Sequence, residues 1–245
     1  MQAMASRAAQ QRMEPGRRNR PAPRICLPGM VGPVLSIACA CVAAWAYRRH
    51  DVSYCMLRQA ISDLGNPAES ALAVVFNVGF VLGGAGMAAF VLGVRPWLRS
   101  ALERVVVVSS VLAALGMSLI GVFADRAGAH TAHDVVALVT FLSVLALSGT
   151  FTACLLVIRQ DLFSRWLVLP SGFCALCAAM FLPLLALDRL GVWANPHLPF
   201  PHGAGRNILL VPLLEWLVYL STMLLSFTAA LSLISWPLKA EAGGD

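Results

Sequence analysis

Six stretches, roughly 30–47, 71–94, 105–124, 135–157, 167–187 and 208–234, are almost uninterruptedly apolar. About 20 such residues are needed for a helix to cross a hydrocarbon core about 30 Å thick. Inside that core every backbone N–H and C=O must bond within the protein, which limits spanning structures to helices and closed barrels. Apolar runs of this length, without strand-like alternation, select helices. The fold class expected is all-α, an integral membrane bundle of six transmembrane helices. Composition agrees, with 59% hydrophobic and 12% charged residues, where soluble domains carry about 25% charged.

The organisation follows from the same runs. Residues 1–29 are rich in arginine, glutamine, alanine and proline without apolar periodicity and read as a disordered basic tail. Residues 30–236 form the membrane domain and 237–245 a short second tail. The tail and first run resemble a signal peptide in order, but Met30–Tyr47 is long for that role and leads into Arg48-Arg49-His50-Asp51 instead of a small-residue cleavage site. A retained first helix is therefore expected. The net charge of +6 does not imply a nucleic-acid partner, because Arg7, Arg12, Arg17, Arg18, Arg20 and Arg24 all fall in that tail.

Basic residues in the alternating short loops give the orientation. With the N-terminus in the cytoplasm, 12 of the 18 Lys and Arg fall inside and six outside. Both termini are thus expected to be cytoplasmic, in the plasma membrane. All five histidines, His50, His130, His133, His197 and His202, then lie in the outer loops, and any chemistry should face outward.

The outer loops hold the candidate site residues. Ile61-Ser62-Asp63-Leu64-Gly65-Asn66-Pro67-Ala68-Glu69 ends in a plausible helix start, with Asn66 as N-cap and Pro67 at the first helical position, or in a simple turn. Asn77 would sit about 9 Å below Ala71 at a 1.5 Å rise per residue, where an amide needs a partner. His130, His133 and Asp134 share a helix face if the fourth helix starts early, a spacing that suits a metal such as zinc, a proton relay or a hydrogen-bonded polar cap. The segment Asn195-Pro196-His197-Leu198-Pro199-Phe200-Pro201-His202 reads as a stiff, extended lid whose histidines are interfacial or complete a site with His130 and His133.

Glu215 is the most informative single residue. It lies about 10 Å inside the sixth helix, where a carboxylate is expensive and should face the bundle interior. It is either functional or a structural partner of Asn77, His130, Arg206 or a serine on another helix. Two motifs point away from chemistry. Cys174-Ala-Leu-Cys177 has redox spacing but falls at mid-membrane, and the cysteines generally read as small hydrophobes. Gly79, Gly83, Gly84 and Gly86 make a small-residue face suited to close helix packing.

At Ile61-Ser62-Asp63-Leu64-Gly65, Phe76-Asn77-Val78-Gly79, Gly121-Val122-Phe123 and His130, the chain resembles the bacterial membrane family catalogued as domain of unknown function 998, itself similar to the eukaryotic Frag1, DRAM and Sfk1 group. The resemblance covers about residues 30 to 235 and implies an architecture without an assigned reaction. It marks Ser62, Asp63, Gly65, Asn77, His130 and Glu215 as the polar positions, and some relatives of the eukaryotic group act in remodelling lipid anchors. His133 and the histidines of the proline-rich loop fall outside that pattern.

The expected site is a polar pocket open to the outer leaflet and lined by Asp63, Asn77, His130, His133 and Glu215, with Ser62, His197 and His202 as further ligand contacts. Its position suggests a membrane lipid or amphiphile. Three functions compete: binding without catalysis; an enzyme on a lipid or isoprenoid, using metal at His130 and His133 or acid–base catalysis by Asp63, His130 and Glu215; and a small proton-coupled transporter. Transport ranks last because no internal repeat is evident and the inner half is nearly free of ionisable groups.

Overall fold

The computed structural model describes residues 21–47, 53–123, 130–158, 162–190, 197–199 and 207–235. Six helices run through them: α1 (Pro23–Trp45), α2 (Ala73–Val94), α3 (Ala101–Val122), α4 (His130–Val157), α5 (Val168–Arg189) and α6 (Leu210–Ser235). All six are long and apolar enough to cross a membrane. The shortest have 22 residues and run about 33 Å at 1.5 Å per residue, a match to the hydrocarbon thickness. Each helix packs on the next in sequence, and α6 returns to α1, closing a ring.

Lipid as solvent explains the side-chain distribution. Val108, Leu156 and Leu169 point outward and are exposed, whereas the interior holds Phe76, Phe181, Leu155 and Met223. Hydroxyls within the spans are satisfied locally: Ser110, Thr140, Ser148 and Thr222 each donate to the carbonyl four residues back at 2.6–2.7 Å. The α2 glycines let backbones meet. A Cβ on Gly32 would lie 3.0 Å from the Gly83 carbonyl oxygen and 3.3 Å from the Gly86 Cα, and one on Gly84 would run into the Ala114 carbonyl of α3. Cys174 and Cys177 are free, buried thiols, and Cys174 Sγ contacts Thr222 Oγ1 at 3.5 Å.

Three boundaries differ from expectation. First, α1 starts at Pro23, seven residues before the expected edge of the tail. Proline at the first helical position has a preset φ and lacks an N–H that would go unbonded there. The added turns have somewhere to pack, since Ile25 lies against Gly93 and Phe90 against Gly29. Second, α2 starts at Ala73, and Asn66 caps no helix. Its Oδ1 accepts from Ala68 N at 3.0 Å and its carbonyl from Ser70 N at 2.9 Å, which closes a turn. Third, α4 starts early, at His130.

The helix ends opposite the start of α1 and the end of α6 carry two short elements. Ile61–Gly65 forms a 3-10 helix. His197–Pro199 (β1) pairs antiparallel with Asn207–Leu209 (β2), with Leu198 opposite Ile208. Of the proline-rich segment only these three residues, 197–199, fall among the described ones, and they are extended.

Candidate functional site

The 3-10 helix lies across the end of the bundle, against α1, α2 and α6. Ile61 and Leu64 anchor it, both buried in a cluster with Tyr47, Phe76 and Tyr219. A loop on one side of it is pinned by Tyr54, whose hydroxyl accepts from Trp216 Nε1 at 2.7 Å and donates to the Ala60 carbonyl at 2.8 Å. Burial, with smaller contributions from the charges of Glu215 and Asp63, raises the Tyr54 phenol well above its ordinary value, so it remains protonated. On the other side, Tyr47 donates to Glu69 at 2.8 Å and Ser70 to the Ala43 carbonyl at 3.2 Å.

The two intramembrane polar residues grip this short helix from opposite ends. Glu215 on α6 accepts hydrogen bonds from the backbone N–H groups of Ile61 and Ser62 and from the Ser62 hydroxyl. Those N–H groups open the 3-10 helix, whose N-cap residue Ala60 offers no side-chain bond, so the carboxylate fills the capping role. Asn77 on α2 donates through Nδ2 to the carbonyl of Gly65, the last residue of the same helix, at 3.1 Å. The Oδ1 of Asn77 is buried and, among the described residues, has no hydrogen-bond partner.

A cleft of about 610 Å³ opens between α4, α5, α6 and the 3-10 helix. Its polar end is formed by Ser62, His133, Asp134 and Glu215, and its remaining wall by apolar residues such as Phe141, Phe181, Leu182 and Val211. Leu138 and Ala186 are exposed at its rim. From the shared residues Ser62, His133, Ala137, Phe141 and Glu215 a narrow cavity of about 50 Å³ continues into the core between Phe80, Met117, Val144 and Met223. That volume exceeds the roughly 10–15 Å³ one water needs, but a water also needs two to four polar partners. The deep wall is largely apolar, and alkyl groups suit it better.

The expected site residues divide across this geometry. Ser62, His133 and Glu215 come together in the cleft. His130 stands at its edge, more than half exposed, with Nε2 at 3.5 Å from Asp134 Oδ2. His133 is buried and turns its Nδ1 to the Phe123 carbonyl at 2.8 Å, so the two histidines face different partners despite their i, i+3 spacing. Asp63 sits within the 3-10 helix, but the described cleft wall does not include it. Asn77 lies at the far end of that helix. Of the expected Glu215 partners, the serine on another helix is met by Ser62, joined by backbone N–H groups, and Asn77 and His130 bond elsewhere; Arg206, His202 and the His197 side chain lie outside the described residues. Among the described residues no three of His, Cys, Asp and Glu gather where a metal could bind. Sequence reasoning missed Tyr54 and Trp216. Trp216 directly follows the buried acid and was the available signal.

Residues 30–232 match the family model described as protein of unknown function (DUF998). The chain belongs to the DUF998 family. The matched span begins inside α1 and ends inside α6, so the DUF998 region takes in the 3-10 helix, both residues that clamp it and every wall of the cleft. No curated protein and no solved structure matches the chain.

Proposed function

We propose that this DUF998 protein binds a membrane lipid or related amphiphile in the cleft between α4, α5 and α6, with the cleft facing the outer leaflet of the plasma membrane. One observation carries the reading: the polar groups stand at one end of a long apolar wall. An amphiphile has the same division. Its head would meet Ser62, His133 and Asp134, and its chain would lie along Phe141, Phe181 and Leu182 and enter the narrow cavity beside Ala137. Lateral entry is open at Leu138 and Ala186, so the ligand need not leave the bilayer. The 12-to-6 distribution of basic residues supports the outward orientation.

Binding without chemistry fits the polar groups better than catalysis does. Acid–base work by Asp63 and Glu215 requires both carboxylates to reach the substrate, yet Glu215 is engaged by three donors of the 3-10 helix. A zinc hydrolase needs a third ligand beside His130 and His133, and among the described residues no third His, Cys, Asp or Glu gathers with them. Proton-coupled transport needs ionisable groups at the far side of the membrane, where the described cavity walls supply none beyond surface arginines.

The test is lipid identification by mass spectrometry on protein purified in mild detergent, for the wild type and Ala137→Trp. Ala137 borders both the cleft and the narrow cavity, and an indole there fills their junction. The wild type should retain one amphiphile class near one per protein, and the variant should lose it while keeping its helicity. An identical lipid profile in both proteins would refute the proposal.

A further inference from the structure

At the end of the bundle where α1 begins and α6 stops, a second feature is built by different residues. Helix α2 gives way to the 3-10 turn Arg95–Trp97, and α3 begins after Ser100. The junction is tied by side-chain caps: Glu103 Oε2 accepts from Arg99 N at 2.9 Å and Ser100 N at 2.7 Å, and Ser100 Oγ accepts from Glu103 N at 3.2 Å, a complete capping box. Arg95 and Arg104 project from this junction, both exposed, and neither has an ion-pair partner among the described residues.

Below these arginines run two outer grooves, one on each side of α3. The groove between α2 and α3 has a volume of about 680 Å³ and begins at Arg95 and Arg104. The groove between α3 and α4 has a volume of about 450 Å³ and also begins at Arg104. They share Arg104, Val108 and Leu112, so the exposed α3 ridge of Val108 and Leu112 divides them. From Arg104 to Leu112 the helix descends about 12 Å at 1.5 Å per residue, close to half of a hydrocarbon core of about 30 Å.

We propose that this face is a binding site for one anionic two-chain phospholipid, straddling α3 with its phosphate between Arg95 and Arg104 and one acyl chain in each groove. Charge complementarity selects the ligand. Guanidinium groups donate paired hydrogen bonds to phosphate, and basic pockets between membrane helices bind anionic head groups on this principle. A zwitterionic phospholipid would fill the same grooves but add a cationic amine beside the arginines. A free phosphate would leave the apolar walls of both grooves without a partner. The site shares no residue with the cleft of the proposed function, so the two stand or fall separately.

The experiment is native mass spectrometry of the delipidated full chain, titrated in detergent with phosphatidylglycerol or phosphatidylcholine of identical acyl chains. The wild type should bind one phosphatidylglycerol at least fivefold more tightly than phosphatidylcholine. Arg95→Gln/Arg104→Gln should reduce that preference to under twofold with unchanged circular dichroism, whereas Arg58→Gln at the opposite end should leave it intact. Val108→Asp, which places a like charge on the ridge between the chains, should weaken phosphatidylglycerol binding with both arginines present. Three results would overturn the proposal: equal binding of the two lipids by the wild type, a preference that survives the double substitution and so belongs to other basic residues, or displacement by millimolar inorganic phosphate.

Discussion

Removing the Glu215 carboxylate tests the clamp on the 3-10 helix. Glu215→Leu preserves approximate volume but strands three donors, the N–H groups of Ile61 and Ser62 and the Ser62 hydroxyl. A buried donor left unsatisfied costs about 1–3 kcal/mol. Ser62 and Glu215 border the open cleft, so water can reach some of these groups, and the hydroxyl can rotate to another acceptor. The expected loss is therefore about 2–3 kcal/mol and not the full sum. For a protein of this size each kcal/mol lowers the melting temperature by about 2–4 °C, which places the fall at about 4–12 °C. Glu215→Gln keeps one carbonyl acceptor at the same reach, and its loss should stay under about 1 kcal/mol. Thermal unfolding in detergent, followed by tryptophan fluorescence, reads the difference directly because Trp216 adjoins the site. A Glu215→Leu protein as stable as the wild type, or a Gln variant as damaged as Leu, would show that the carboxylate does not hold the 3-10 helix.

Other substitutions probe the surrounding structure. Gly84→Val should destabilise the protein by about 1–3 kcal/mol, since even a Cβ there meets the Ala114 carbonyl and Ser118; wild-type melting would show that α2 and α3 do not approach so closely. His133→Ala should cost about 1 kcal/mol by releasing the Phe123 carbonyl and leave metal content unchanged, whereas stoichiometric zinc lost together with His130 and His133 would favour the hydrolase reading. Topology reporters after Arg99 should be cytoplasmic and those near Gly128 and Pro199 external, and a cytoplasmic signal at Gly128 would invert the proposed orientation.

The membrane architecture was legible because its cause is local. Each span is a run of consecutive apolar residues, and the solvent alone requires that it be a helix. The glycine face of α2 was legible for a similar reason, since small side chains have few uses in a span other than close approach. The cost of burying Glu215 and Asn77 correctly marked them as groups that need partners, but the partners were hidden. Side-chain patterns point to side chains, and what both residues meet is largely backbone: the N–H groups that open the Ile61–Gly65 helix and the carbonyl that ends it. A five-residue 3-10 helix has no periodic signature of its own. It is stabilised by burial of Ile61 and Leu64 on elements distant in sequence, which is also why Asn66-Pro67 resembles a helix start while forming a turn. Likewise, i, i+3 spacing put His130 and His133 near one another but did not specify that His133 would turn toward Phe123.

Photo-crosslinking with a lipid carrying a diazirine in its acyl chain tests the lipid-binding cleft most directly. Peptide mapping of the labelled protein should place the cross-links on residues 137–141 of α4 and 181–186 of α5, and excess unlabelled ligand should compete them away. Uncompeted labels spread evenly over outward-facing positions such as Leu156 and Leu169, which are exposed on the bundle surface, would contradict the account.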